Sequence, residues 1–264
     1  MKAEQAGSLR RAIAIMRVLA NVDAGGAGLT DIAQQVGLPH PSVHRLLAQM
    51  VEEGMVRRVE GGRRYALGPV AFELGLAAAR QFEVRQLYRP IISELARQSG
   101  DTAYLVVRSG LEAVCVDRRQ GNAPVQVVTL KIGSRRPLGV GAGGLAILAA
   151  LAEPERRAVA AAIGPQLAAD YQTSEAQLAE LVGQIHRDGY TLIHNRVFNG
   201  VSALGRPILD AEGGPVAAVS VATINQRMRP SRVRELDGYL RQAVQQAQST
   251  IAAAVLAAVG DDAE

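Results

Sequence analysis

The sequence predicts an α+β fold in two parts, and two observations carry that expectation. Residues 28–67 hold two short apolar stripes at helical spacing, separated by Gly37, followed by two strand-like runs around Gly61-Gly62. From residue 90 onward, strand patterns joined by tight turns alternate with helical stretches, the order of a central antiparallel sheet with helices packed on it. The charge bears on partners instead: 9 Lys+Arg stand against 6 Asp+Glu in residues 1–70 and 17 of each in residues 91–264, so the excess sits where phosphate binding would need it. The expected boundaries are 1–68, 69–89 and 90–264.

A first helix is expected over Ser8–Ala20, with Leu9, Ile13, Met16 and Leu19 or Ala20 turned inward. A second presents Leu29, Ile32, Ala33 and Val36 on one face with Thr30 as its N-cap. Gly37 then gives the chain the backbone freedom for a sharp turn. Pro41 fits the first position of a third helix, where its missing N–H costs nothing. That helix sets Val43, Leu46, Leu47, Met50 and Val51 inward and stops at Gly54. Its other face carries Ser42, His44, Arg45 and Gln49. Met55–Val59 and Arg63–Leu67 form a hairpin around Gly61-Gly62. Two helices about a tight turn, then a hairpin, make a winged helix-turn-helix. A short helix with apolar anchors behind and hydrogen-bonding side chains in front is what a DNA major groove admits.

A connector helix is expected over Pro69–Tyr88, with Phe72, Leu76 and Phe82 or Leu87 available for packing. Beyond Pro90, Ile91–Ser99 reads as helix, and Thr102–Val107 and Ala113–Asp117 read as strands. Val125–Leu130, β-branched nearly throughout, reads as a third strand. Helices follow at Ala142–Leu151, Pro154–Ile163 and Ser174–Asp188. A strand runs from Gly189-Tyr190 to about His194, and Ser202–Leu209 pairs with Pro215–Thr223 around Glu212-Gly213-Gly214. The final helix is expected from Ser231 to about Val259.

Composition narrows the function. At 48% hydrophobic and 20% charged, without low-complexity tracts, the chain is globular rather than disordered. The single cysteine, Cys115, excludes an internal disulfide framework and reads as a buried small hydrophobe rather than a redox sensor. The four histidines make no metal-ligand spacing with it; His186 reads as helix surface and His194 as a strand end. No signal-peptide h-region or membrane-length apolar stretch is present, so a soluble, cytoplasmic protein without membrane contact is expected. There is no Gly-x-Ser-x-Gly elbow, P-loop ending, metal cluster or strand-linked Gly-x-Gly-x-x-Gly. No catalytic residue, metal or cofactor is therefore expected. The alternatives are a metabolite-binding enzyme with a fused helix-turn-helix, and a helix-turn-helix used only for protein contact. Arg45, the basic wing and Gly37 weigh against the second.

Arg45 is the leading base-reading candidate, because arginine can clasp guanine O6 and N7; the bland reading is a surface arginine paired with phosphate or with Glu52/Glu53. Ser42 and Val43 sit in the first turn, nearest the bases, though Val43 reads equally well as core. His40 and His44 flank them. Arg57, Arg58, Arg63 and Arg64 border the hairpin as phosphate or minor-groove contacts, or in part as a solvated strand face. Arg10 and Arg11 reach the DNA backbone or only solvate their helix. In the second part, Gly139-Val140-Gly141-Ala142-Gly143-Gly144 puts small residues at a helix start, where free N–H groups and the helix dipole favour an anion. The alternative is a tight helix-to-sheet packing turn.

The order of these features resembles the isocitrate-lyase-regulator (IclR) family of bacterial transcription factors over nearly the whole chain. The resemblance rests on Ser8-Leu9-Arg10-Arg11-Ala12, Asp31-Ile32-Ala33 with Gly37-Leu38-Pro39, and Val43-His44-Arg45-Leu46-Leu47. It continues through Arg64-Tyr65-Ala66-Leu67-Gly68, Pro137-Leu138, Ala142-Gly143-Gly144 with Ala146, Gly189-Tyr190 and Pro207-Ile208. It implies a GAF-like effector-binding domain after the winged helix, and a homodimer or homotetramer on a double-stranded DNA operator. Such proteins switch a catabolic operon, as repressor or activator, in response to a small organic acid.

The resemblance implies effector contacts from Leu130, Gly141, Ala142 and Gly143. Further contacts fall at Ile193, Ala203, Ser220 and Ala222, with Arg206 as a counter-ion, a solvent-facing residue or part of a subunit interface. Several positions depart from the family's habits. His40 replaces a frequent lysine and Pro41 a hydroxyl residue, which bears on which operator is read. Ile193 stands in place of Asp and Ala203 in place of Cys; Ser220 is kept, but Ala222 replaces a second serine. The expected pocket is thus less polar than one built for glyoxylate or pyruvate, and suits an acid with an apolar, aromatic body.

Overall fold

The computed structural model describes residues 7–22, 25–59, 63–81 and 84–261, in two compact units, Met1–Glu83 and Val84–Glu264. The first unit runs α1 (Ser8–Ala20), β1 (Ala27–Gly28), α2 (Leu29–Val36), α3 (His40–Glu52), β2 (Val56–Arg58), β3 (Arg64–Leu67) and α4 (Pro69–Gln81). Its antiparallel sheet has the order β1-β3-β2, with β1 a two-residue strand that sequence periodicity does not reveal. Ile15, Ile32, Val43, Leu47 and Val56 form the centre of its core. The Gly61-Gly62 turn and Phe82 lie outside the described residues.

Three local expectations are corrected here. In α1 the buried pair is Ile15 and Leu19, flanked by Ala12 and Met16, while Leu9 and Ile13 are exposed. The helix carries two overlapping apolar stripes, and its contacts with α2 and α3 select one. Thr30 does not cap α2; Gly28 occupies the N-cap position without a side-chain hydrogen bond. Gly37 closes α2 in the left-handed region at φ 64°, as the turn requires. Helix α3 starts at His40, so Pro41 sits one residue further into the first turn than expected, still where no N–H is needed.

The second unit opens with α5 (Val84–Ser99), then β4 (Thr102–Ser109), β5 (Glu112–Arg119) and β6 (Arg135–Pro137). It continues through α6 (Gly141–Ala150), α7 (Glu153–Tyr171), α8 (Glu175–Asp188), β7 (Thr191–His194), β8 (Val201–Leu209), β9 (Pro215–Ile224) and α9 (Pro230–Asp261). The six strands form one antiparallel sheet in the order β6-β5-β4-β9-β8-β7. Period-two alternation sorts each strand. Tyr104, Val106 and Ala218 face α6, while Leu105, Val219 and Val221 face α5 and α9. Helices therefore cover both faces. Ser174 and Gln177 close a capping box at the start of α8.

Three differences from the sequence reading have physical causes. Pro90 lies inside α5, so no helix begins at Ile91 and one helix crosses the expected boundary at residue 90. Helix α7 likewise runs through Pro165 to Tyr171, eight residues beyond Ile163. Val125–Leu130 is not a strand; the edge partner of β5 is β6. Side chains satisfy that segment's backbone instead. The Tyr104 hydroxyl donates to the Val127 carbonyl at 2.9 Å and accepts from the Thr129 amide at 2.9 Å, and Arg118 donates to the Leu130 carbonyl at 3.1 Å. Extended, β-branched sequence marks the conformation without guaranteeing a ladder.

Cys115 on β5 is fully buried, and desolvation pushes its thiol up to about 12. Between about pH 9 and 12 the folded chain holds a proton that the unfolded chain releases, so stability falls as pH rises. Relative to Cys115→Ala, the unfolding free energy should decline by about 1.4 kcal/mol per pH unit in that window. Chemical denaturation at pH 8 and pH 10 checks this; parallel changes in the two proteins would refute it.

Candidate functional site

Two sites emerge, one in each unit. In the first, α3 buries Val43, Leu46, Leu47 and Met50 and so turns His40, His44, Arg45 and Gln49 outward. Val43 is fully buried and cannot touch a base, which corrects its place among the DNA contacts. Ser42 is half-buried at the edge of the exposed face. No described residue holds the Arg45 guanidinium in an ion pair, including Glu52 and Glu53.

The hairpin strands meet α3 at a cleft lined by Thr30, His40, His44, Arg58, Arg63 and Tyr65. Arg58 lies opposite Tyr65 across the strands, with its guanidinium 5.7 Å from the ring centroid. Arg57 is exposed beside it. Arg64 serves the fold instead. Its guanidinium donates to the carbonyls of Gly25 at 2.9 Å and Gly26 at 2.7 Å, tying the loop before β1 to β3. That bonding leaves it a structural residue rather than a free cation. Arg10 is exposed and Arg11 half-buried on the first turns of α1.

The second site is a cavity of about 50 Å³ between the sheet and the start of α6. Of the residues expected there, Leu130, Gly141, Ala142 and Gly143 line it from one side, and Ile193, Ala203, Ser220 and Ala222 from the sheet. The first N–H groups of α6 have no acceptor within the helix, so the cavity meets a field that favours negative charge. The run is a tight packing turn as well. A Cβ on Gly143 would lie 2.7 Å from Val106 Cγ2, and one on Gly205 would lie 3.1 Å from the Ala142 carbonyl. The same small residues that let α6 approach the sheet leave room at its first turn.

Arg206 is not in the cavity, which corrects its place in the set. Its Nε donates to Asp237 Oδ1 at 2.6 Å on the face that α9 covers. Two arginines that sequence reasoning passed over do line the cavity, Arg136 of β6 and Arg196 after β7. Arg136 donates to the Thr129 carbonyl at 2.6 Å and lies 5.6 Å from the Phe198 ring centroid. Arg196 donates to Thr173 Oγ1 at 2.9 Å. Burial lowers the pKa of both guanidiniums. Their only sequence signal was an arginine beside Pro137 and another just past a strand, positions equally suited to solvent.

No helix of the described residues is long and apolar enough to cross a membrane. A winged helix-turn-helix together with a cavity-bearing α+β unit is the architecture of a DNA-binding transcriptional regulator. The family model for the bacterial transcriptional regulator IclR C-terminal region matches residues 76–249, and that for the IclR helix-turn-helix domain matches residues 8–60. The chain belongs to the IclR family of bacterial transcriptional regulators. It is 30% identical to the HTH-type transcriptional regulator KipR of Bacillus subtilis over 223 residues, covering 83% of this chain and 87% of that one. An IclR regulator from Alicyclobacillus acidocaldarius superposes with a TM-score of 0.75 at 22% identity, over 93% of this chain and 99% of that one. An IclR homologue from Microbacterium hydrocarbonoxydans, complexed with 4-hydroxybenzoate, gives 0.71 at 22% identity, over 94% and 100%.

Proposed function

We propose that the chain, acting in the cytoplasm as a homodimer or homotetramer, reads a palindromic operator through α3 and the hairpin. A small organic acid with an apolar body then controls that binding from the cavity at α6. Residues 1–68 act as the DNA-binding domain and α4 as a connector, and the effector domain begins with α5 at Val84 rather than at residue 90. The carrying observation is the cavity itself, where eight sequence-nominated residues and the amide-rich helix start converge on largely apolar walls. The 4-hydroxybenzoate held by the Microbacterium relative supports an aromatic acid. Effector binding shifts the population between DNA-competent and incompetent arrangements, because a ligand moves an equilibrium only by its differential affinity for the two states. No enzymatic step is assigned.

Base reading falls to Arg45, with Ser42, His40 and His44 beside it; Arg57, Arg58 and Arg63 hold phosphate, and Arg10 and Arg11 support them. The test has two arms. Selection of genomic fragments by the purified protein should yield a symmetric site, and Arg45→Ala should weaken binding to it by about 2 kcal/mol, roughly thirtyfold, at fixed salt. Unchanged affinity would remove Arg45 from the interface. Thermal unfolding with aromatic acids should then show stabilisation that grows with ligand concentration. If only small keto acids stabilise the protein, the apolar-body reading fails.

A further inference from the structure

We infer that the cavity selects a dianion: a small dicarboxylic acid whose two charged ends are met by Arg136 and Arg196. The inference rests on the reading above that the cavity takes an organic acid, and it adds the charge and the residues that count it.

The two arginines belong to opposite margins of the fold. Arg136 lies on β6 and Arg196 follows β7, and these are the two edge strands of the six-stranded sheet. Both nevertheless line the same cavity. No Asp or Glu lines it, and neither arginine pairs with a carboxylate among the described residues. The neighbouring residue makes the contrast. Arg135 donates to Glu112 Oε2 at 2.8 Å, whereas Arg136 has one carbonyl and a ring. Each guanidinium has five N–H donors, so the single carbonyl of Thr129 and the single hydroxyl of Thr173 leave most of them for a ligand.

Charge balance decides the ligand class. Closing a ligand over two partly buried cations removes water from both, and a monoanion compensates only one. The other is left desolvated and unpaired, which lowers the affinity of a monoanion relative to a dianion. A dicarboxylate offers each guanidinium a flat two-oxygen partner that its fork can clasp in bidentate fashion. Size limits the body between the carboxylates. A cavity of about 50 Å³, at about 10–15 Å³ per water and 30 Å³ of liquid per water, corresponds to roughly 120 Å³ of ligand. That is a single ring or a short chain. Tyr104, Val106 and Leu130 offer it apolar walls.

Calorimetric titration of the full-length protein tests this with benzoate, the three benzenedicarboxylates and their monomethyl esters, and with succinate against butyrate. At least one diacid should bind ten or more times tighter than its own monoester and than the matching monoacid. Arg196→Gln should erase that preference by weakening the diacid tenfold or more without weakening the monoacid, and Arg136→Gln should do the same if it folds. The ester comparison needs no variant, so misfolding cannot rescue the idea. Monoacids or monoesters binding as tightly as every diacid would overturn the dianion while leaving the organic-acid reading intact. A preference that survives loss of Arg196 would overturn the assigned residues. If no acid of either kind binds, the organic-acid reading falls and the dianion with it.

Discussion

Gly143→Leu should reduce acid binding more than a hundredfold while ligand-free protein still selects the same operator. The position allows no neutral outcome. A Cβ there would stand 2.7 Å from Val106 Cγ2 and 3.7 Å from Ser220 Oγ, so the new side chain either pushes α6 from the sheet or enters the cavity. Moving a helix start by that amount is an overpacking problem costing about 1–3 kcal/mol, which a domain of this size survives with a lowered melting temperature. Entering a cavity of about 50 Å³ leaves no room for a ring. Both routes displace the first-turn amides from any carboxylate. Ala203→Leu gives a second check from β8, because Ala203 lines the same cavity from the sheet. Calorimetry with the best-binding acid should show both variants silent, and mobility shifts without acid should show operator affinity within about threefold of the parent. Wild-type acid affinity in both variants would place the ligand elsewhere.

Only the helix start of this site was legible from local signals; the sheet residues came from the family resemblance, and the strand pairing accounts for their convergence. The Gly141–Gly144 run announces a crowded helix start, and strand parity puts Ser220 and Ala222 of β9 on the same side as Ala203 of β8. Parity also shows why Arg206 was misplaced. Ala203 lines the cavity and Gly205 faces α6, whereas Leu204 packs with the cluster under α5 and α9, so Arg206 falls with Leu204. Arg136 and Arg196 were invisible for a different reason. They lie 60 residues apart, and only the closure of the sheet with β6 and β7 at its edges brings them to one cavity. Charge on an edge strand usually means solvent, and no local pattern states otherwise. The helix-turn-helix was legible down to its turn glycine, while the choice between two apolar stripes on α1 needed the packing of α2 and α3 against it.

Arg206→Ala, by contrast, should cost stability and leave acid affinity untouched. Arg206 Nε donates to Asp237 Oδ1 at 2.6 Å, and the Asp237 side chain is only 9% exposed. Removing one partner of a buried pair strands the other charge, a loss of about 3–5 kcal/mol in general. Here the low end, about 3 kcal/mol, is expected, since Arg241 still reaches Asp237 Oδ2 at 2.9 Å. The loss of Arg206 also strips a cation from the Tyr190 ring, 6.0 Å from its centroid, and loosens the seam between β8 and α9. None of these contacts belongs to the cavity, which lies on the opposite face of the sheet. Denaturant unfolding should therefore show a lower midpoint with an unchanged slope, and titration of the folded variant should return the parental dissociation constant. A variant of normal stability that had lost acid binding would put Arg206 back among the effector contacts and would mean that β8 turns its side chains the other way in the liganded protein.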